Sequence, residues 1–88
     1  MINKSYSVYI LQCSDRSYYT GISTDVNRRI REHEKGNRGA KYLKGRGPLQ
    51  LVFSKIVGNR SEALNLELLI KKLSHKEKKL LINGMLTL

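Results

Sequence analysis

The sequence has little of what builds a disulfide scaffold, a membrane span or an acidic surface. It contains a single cysteine, Cys13, which excludes a disulfide framework and a cysteine-rich zinc site. It contains one proline and no tryptophan, and its apolar runs are far too short to cross a membrane. The first residues lack the apolar core of a signal peptide, so we expect a cytoplasmic protein with no membrane partner.

The shortage of acidic residues is the strongest signal in the composition. Seven Asp and Glu stand against seventeen Lys and Arg, which gives a net charge of +10 and a pI near 10.1. A surface this basic repels itself, and the usual reason for it is a polyanionic partner such as a nucleic acid. A length of 88 residues allows one small domain, 1–88, with one modest core between two layers.

Periodicity and turn residues predict an α/β fold. Residues 6–13 and 18–22 are rich in β-branched and aromatic types and flank a turn composition, which predicts a β-hairpin. The remaining pattern predicts, in order, a helix over about 25–35, a basic glycine-rich loop over 36–48, a strand over 49–57, a helix over 60–73 and a last helix after the capping box of Ser74 and Glu77. We therefore expect a small three-stranded antiparallel or mixed sheet flanked by helices, in the order β-β-α-β-α-α.

Basic residues are concentrated in one part of the chain, since eight of the seventeen lie between positions 28 and 46. Helical angles place Val26 and Ile30 toward the core and put a charged face in solvent. Clustered Lys and Arg neutralise phosphates, which favours nucleic-acid contact over a merely solvated face. The predicted nucleic-acid-binding residues are Arg28, Arg31 and Lys35 on the helix and Arg38, Lys41, Lys44 and Arg46 in the loop.

Polar residues also lie beside the apolar stripes of the predicted helices. Arg29 and His33 are four residues apart and border the apolar stripe of their helix. Spacing alone favours a salt bridge with a satisfied histidine, and the alternative is a phosphate clamp with a proton carrier.

Glu67 lies between apolar groups on the helix of 60–73. A carboxylate in that position needs either an ion pair or a hard cation such as Mg²⁺, and helical geometry leaves both open.

Tyr9 and Tyr19 stand in the two strands of the predicted hairpin. Each is an ordinary residue for a strand. They share one face of the sheet only if the hairpin register allows it, because a two-residue loop at 15–16 would place them on opposite faces. The sequence leaves that register open.

Several segments of the chain form a recognisable series when they are taken in order. They are S-V-Y-I-L, Y-Y-T-G, T-D-V-N-R-R-I-R-E-H and S-E-A-L-N-L-E-L-L-I-K-K. The series resembles the two signature strands, the first helix and the metal-bearing helix of the GIY-YIG nuclease superfamily, in particular its small single-domain members. The resemblance covers about residues 5 to 82, and the chain departs from the signatures at Ser7, Val8 and Thr20.

The resemblance implies an endonuclease that hydrolyses phosphodiester bonds in DNA with Mg²⁺ or Mn²⁺. The matching positions are Tyr9, Tyr19, Arg29 and His33 for catalysis, Glu67 for the metal and Gly21 as a structural glycine. Arg29 would stabilise the phosphorane-like transition state. Tyr9 would activate or position the attacking water, which requires cationic neighbours to lower its pKa from about 10. Tyr19 and His33 would orient water and relay protons.

A competing interpretation belongs to a different functional class. The chain would be a non-catalytic nucleic-acid-binding module that keeps the fold and the basic surface. In a third interpretation the domain acts only with a protein partner that supplies specificity. The nuclease and the non-catalytic module both predict binding that weakens steeply with salt, so salt dependence does not separate these two.

Overall fold

In a computed structural model, which describes residues 4–35 and 41–88, a three-stranded sheet is covered by helices on both faces. Its elements are β1 (Tyr6–Gln12), β2 (Tyr18–Ser23), α1 (Val26–Lys35), a 3₁₀ turn (Lys41–Leu43), β3 (Gln50–Gly58), α2 (Arg60–Lys71) and α3 (His75–Ile82). The predicted order β-β-α-β-α-α is confirmed, with boundaries that differ by one or two residues. Both strand pairs are antiparallel, so the sheet is not mixed.

The central strand β1 carries most of the core. The strand order is β2-β1-β3, which makes β2 and β3 the edge strands. Val8 and Ile10 are buried on one face of β1, against α2 and α3. Tyr9 and Leu11 are buried on the other face, against α1 and Leu43. A strand that is buried on both faces explains why β1 reads as a continuous apolar run rather than an alternating one.

The hairpin between β1 and β2 settles the register that the sequence left open. Leu11 lies opposite Tyr19, and Tyr9 lies opposite Gly21. The connection is therefore residues 13–17, an odd number of residues, and not a two-residue loop. Arg16 takes a left-handed backbone conformation in this turn, with φ of 69°. Because directly opposed residues share a face, this turn places Tyr9 and Tyr19 on the same side of the sheet.

Both helices after β3 begin with capping boxes. At the start of α3 the Ser74 hydroxyl accepts from the Glu77 backbone N–H at 3.1 Å, and the Glu77 carboxylate accepts from the Ser74 N–H at 2.9 Å. The Ser74 backbone N–H, and after it the Ser74 hydroxyl, act on the Glu77 carboxylate and lower its pKa. The predicted capping box is confirmed, and Asn59 and Glu62 form a second one at the start of α2.

The loop before β3 is fastened to the hairpin turn. The Ser14 backbone N–H donates to the Arg46 carbonyl at 2.9 Å, and the Arg46 guanidinium pairs with the Asp15 carboxylate. Leu43 is 2% exposed and anchors the same loop in the core. Residues 41–48, the part of the predicted loop over 36–48 that the structure describes, thus pack beside β2. Within the described ranges, no helix is long and apolar enough to cross a membrane.

Candidate active site

The two hairpin tyrosines form the centre of the candidate site. Their ring centroids are 6.4 Å apart, and the Tyr9 side chain is almost completely buried. A Cβ atom on Gly21 would lie 2.6 Å from the Tyr9 hydroxyl oxygen and 2.8 Å from Cζ. Atoms of this kind do not approach so closely, so the position opposite Tyr9 has to be glycine for the hydroxyl to lie across the strand.

His33 joins the tyrosines from α1. Its Nε2 atom is 2.9 Å from the Tyr9 hydroxyl, and its ring meets the Tyr19 ring edge-on at 5.4 Å. The residue is 3% exposed, and burial together with the charge of Arg29 lowers the pKa of His33. The imidazole is therefore neutral at pH 7, and in the tautomer that carries its proton on Nδ1 its Nε2 accepts a hydrogen bond from the Tyr9 hydroxyl.

Arg29 forms the salt bridge that its spacing favoured and lies beside Tyr9. Its Nη1 donates to the Glu32 carboxylate at 2.9 Å, which is the salt bridge expected of an arginine at the edge of a core. It also lies within hydrogen-bonding range of the Tyr9 hydroxyl. The pairing with Glu32 is the main cause that raises the pKa of Arg29. The guanidinium is thus held in one place, next to the tyrosine that the site is built on.

The requirement for a lowered tyrosine pKa is not met by the protein alone. Burial raises the pKa of Tyr9 to about 12, and the neighbouring Tyr19 adds to the rise. Arg29 lowers the pKa of Tyr9, but by less than burial raises it. Burial also raises the pKa of Tyr19. Both phenols therefore keep their protons at neutral pH, and Tyr9 is not an ionised base in this state.

Glu67 approaches the same place from α2. Its side chain is 14% exposed, and its Oε2 is 3.6 Å from Nζ of Lys71, one helical turn later. Its negative charge contributes to the raised pKa values of both Tyr9 and Tyr19, which locates the carboxylate within electrostatic range of the pair. The ion-pair alternative is thus partly realised, with a lysine rather than an arginine as the partner.

The donor set suits one kind of metal ion. No group of three or more His, Cys, Asp and Glu that could hold an ion is found among residues 4–35 and 41–88. A closed zinc cage is therefore absent from that part of the chain. Mg²⁺ usually keeps several waters and takes only one or two carboxylates, so a single half-enclosed carboxylate such as Glu67 fits it. Glu67 is the residue that would hold such an ion.

The predicted nucleic-acid-binding residues are only partly gathered at the site. Arg28, Arg31 and Lys35 are exposed on α1, and Arg28 also pairs with Glu32 at 3.8 Å. Lys44 is exposed in the loop, and Arg46 is engaged with Asp15. Two predictions fall outside the description of the structure, which covers neither residue Arg38 nor the side chain of Lys41.

Two residues of the site were not predicted. Glu32 pairs with both Arg28 and Arg29, and its spacing of three and four residues from them was a readable signal. Tyr42 stacks on Tyr19 with centroids 6.1 Å apart and planes at 24°. That contact joins the loop to the hairpin across the fold, so local sequence patterns carry no trace of it.

The sequence and the fold match a known catalytic domain. A family model described as the GIY-YIG catalytic domain matches residues 5–80, and the chain belongs to this family. The fold is accordingly nuclease-like. The resemblance noted in the sequence is confirmed at the level of the family.

The chain is similar to small bacterial proteins of the group called UPF0213. It is 47% identical over 81 residues to a UPF0213 protein of Cronobacter sakazakii, across 92% of this chain and 84% of that protein. It is 46% identical over 79 residues to the UPF0213 protein BH0048 of Halalkalibacterium halodurans, across 90% of this chain and 83% of that protein. These relatives are aligned over most of their own lengths.

Solved structures agree with the fold. The solution NMR structure of BH0048 matches with a TM-score of 0.58 at 46% identity, over 90% of this chain and 83% of that chain. The solution NMR structure of protein EF2693 from E. faecalis matches with a TM-score of 0.66 at 38% identity, over 93% of this chain and 86% of that chain.

Proposed function

We propose that this chain is a divalent-metal-dependent endonuclease that hydrolyses phosphodiester bonds in DNA. The observation that carries the proposal is the hydrogen bond between buried Tyr9 and neutral His33, with Arg29 beside it and Glu67 in electrostatic range. Core packing or a salt bridge accounts for any one of these residues taken alone. It does not explain a phenol, an imidazole, a guanidinium and a carboxylate meeting at one place on a basic protein.

Tyr9 and His33 handle the proton of the attacking water. A phenol with a pKa of about 12 is a poor base by itself. Its oxygen, however, accepts a proton from water as its own proton passes to Nε2 of His33, 2.9 Å away. The water oxygen bonds to phosphorus, the bond from phosphorus to the leaving oxygen breaks, and the leaving oxygen takes a proton from solvent. The basicity of His33 then determines the pH range in which cleavage occurs, while Tyr9 determines the direction from which water attacks phosphorus.

Arg29 stabilises the negative charge that grows on the phosphoryl oxygens. Its charge is fixed in position by Glu32 at 2.9 Å, so little reorganisation is needed during the reaction. The guanidinium has other N–H donors that can turn to a phosphate. The salt bridge and the phosphate clamp are therefore successive uses of one side chain rather than rival interpretations.

Glu67 would hold Mg²⁺ or Mn²⁺. When bound, the ion stabilises charge on the scissile phosphate and on the leaving oxygen. Lys71 keeps the carboxylate oriented at 3.6 Å, and its own charge is available to a phosphate when the carboxylate has another partner. The Glu67–Lys71 contact is thus compatible with metal binding.

The proposal also covers how the DNA is bound, where the protein works and what supplies its specificity. The exposed bases Arg28, Arg31, Lys35 and Lys44, together with Arg38, Lys41 and Arg46, bind the DNA backbone. We take residues 1–88 as one catalytic domain that works in the cytoplasm. A domain this small has little surface for choosing a sequence, which fits a protein partner that supplies specificity.

The test is nicking of supercoiled plasmid by the purified full chain in Mg²⁺, in Mn²⁺ and with a chelator. Cleavage is expected with either metal and is expected to be lost in Glu67→Gln and in Arg29→Lys. Glu34→Gln is the matched control, because Glu34 is exposed on α1 and lies outside the proposed machinery. Activity that survives both site variants would refute the mechanism. Retardation of DNA without cleavage under either metal would support the non-catalytic binding module instead.

A further inference from the structure

An open groove of about 250 Å³ lies beside the candidate active site, at the edge of the sheet formed by β2. It is bounded on one side by Tyr42 of the loop before β3 and on the other by α2 and α3. The lining residues are Tyr18, Tyr19, Thr20, Tyr42, Lys71 and Lys78. Half of these are tyrosines, although the chain has only five tyrosines in all.

Each groove tyrosine rests on a second planar group. The Tyr18 ring stacks on the ring of His75, with centroids 4.6 Å apart and planes at 18°. The guanidinium of Arg46 lies 4.3 Å from the centre of the Tyr42 ring. These contacts hold the rings before any ligand arrives, so little rotamer entropy remains to be lost on binding. Tyr42 is still 44% exposed, which leaves ring surface available to a ligand.

The remaining lining groups suit a nucleotide. Lys71 is half exposed and Lys78 is half-buried, and no acidic residue lines the groove among the described residues. The Thr20 hydroxyl is buried and has no hydrogen-bond partner within the described part of the chain. A buried polar atom without a partner is unusual in a folded protein. Thr20 is a lining residue of this groove, but its hydroxyl is enclosed, so the surfaces open to a base are the rings and the lysines.

The groove is connected directly to the proposed chemistry. Lys71 lines it and is paired with Glu67 at 3.6 Å, and Tyr19 lines it and belongs to the hairpin pair. A nucleotide in the groove is therefore a close neighbour of the phosphate that would be cleaved. Bases inside a duplex are stacked on each other and cannot enter such a site without being flipped out.

We propose that this groove binds an unpaired nucleobase, stacked on Tyr42, with the adjoining phosphates on Lys71 and Lys78. The substrate class of the enzyme is then a nucleic acid that is single-stranded beside the scissile phosphate. This statement about the substrate rests on the proposed function, whereas the binding site itself does not. Stacking on an aromatic ring accepts any base, so the groove selects for strandedness and not for sequence.

The test measures binding without cleavage. The full chain carrying Glu67→Gln is titrated, with chelator, into fluorescein-labelled oligothymidylate of about twelve nucleotides and into a hairpin duplex of similar length. Tyr42→Ala is expected to weaken binding of the single strand about tenfold and to change duplex binding by less than about twofold. Tyr42→Phe, which keeps the ring, is expected to bind the single strand as well as its parent does.

Further arms separate stacking from charge and one nucleic acid from another. Lys78→Ala is expected to weaken binding of the single strand, whereas Lys76→Ala removes the same charge from the same helix outside the groove and has a smaller effect. Oligouridylate in place of oligothymidylate shows whether an unpaired RNA base is accepted equally. Thermal unfolding followed by circular dichroism verifies that each variant is folded.

Besides a Tyr42→Ala variant that binds the single strand as its parent does, two outcomes would overturn the inference. One is a parent protein that does not favour the single strand over the duplex. The other is an equal loss of single-strand and duplex binding in Tyr42→Ala, because Tyr42 would then support nucleic-acid binding in general rather than contact an unpaired base. If the single strand binds as expected but no plasmid or oligonucleotide is cut, the proposed function fails and the base site remains. If cleavage occurs and Tyr42 is indifferent, only the base site fails.

Discussion

A methyl group added at Gly21 tests the geometry of the site most directly. In Gly21→Ala the new Cβ would lie 2.6 Å from the Tyr9 hydroxyl oxygen, 2.8 Å from its Cζ and 3.2 Å from Cε1 of Tyr19. Contacts of 3.4 Å and above are ordinary, so the Tyr9 hydroxyl has to retreat by about 0.8 Å. Tyr9 is 1% exposed and cannot escape into solvent, so the core has to absorb the shift.

The magnitude follows from overpacking and from the hydrogen bond that is disturbed. Inserting a methyl into a packed core typically costs about 1–3 kcal/mol in the free energy of unfolding. The same shift misaligns the 2.9 Å contact between Tyr9 and His33. Displacing a catalytic group by about 1 Å typically lowers the rate by about 10²-fold. We therefore expect a folded, less stable protein whose cleavage rate falls by about two orders of magnitude.

Urea unfolding and plasmid nicking measure the two effects separately. Gly47→Ala is the matched control, because a Cβ there meets no atom within 4 Å. We expect its urea midpoint and nicking rate to stay close to those of the wild type. If Gly21→Ala were as stable and as active as Gly47→Ala, Tyr9 would not occupy the described position, and the derivation of the site from it would be wrong.

The remaining predictions concern pH, capping and salt. Because the fold lowers the pKa of His33, its neutral form contributes stability that is present above about pH 6.5 and is lost as the pH falls. The urea midpoint and the cleavage rate should therefore both decline on acidification. In His33→Gln the urea midpoint should depend less on pH, and cleavage should be abolished. Ser74→Ala removes the α3 capping box and should lower the free energy of unfolding by about 1 kcal/mol. Arg31→Ala should reduce the slope of log affinity against log salt by about 1, whereas Lys55→Ala on β3 should leave it unchanged.

Each of these predictions can fail in its own way. An unchanged acid profile in His33→Gln would mean that another group titrates. A fully stable Ser74→Ala would mean that α3 is held by packing alone. Equal salt slopes for the Arg31 and Lys55 variants would mean that binding is not localised on α1.

Patterns within single elements were predictable, because they are local. The capping box of Ser74 and Glu77, the amphipathic α1 and the order of helices and strands along the chain follow from spacing and turn residues. The shared face of Tyr9 and Tyr19 was not predictable. It depends on the left-handed conformation of Arg16, which gives the hairpin its odd-numbered connection. Either turn was compatible with the composition of residues 14–17.

Properties set by the whole fold were beyond the sequence as well. The pKa of Tyr9 is raised because the side chain is buried under α1 and the loop before β3. The many basic residues of the sequence had instead led us to expect a lowered pKa. The stacking of Tyr42 on Tyr19 joins residues far apart in the chain. The pairing of Glu67 with Lys71 is the opposite case, because a spacing of four residues on one helix is a local signal that the sequence does contain.

The position of β3 at the edge of the sheet has a consequence for how the protein behaves in concentrated solution. An edge strand can pair with the edge of another molecule, and β3 is nine residues long with Leu51 and Ile56 exposed. Lys55 is its only charged residue, so the strand itself does little to prevent such pairing. The net charge of +10 keeps free molecules apart. A bound polyanion cancels that repulsion, so molecules crowded along one strand of nucleic acid are the ones most exposed to sheet-to-sheet association.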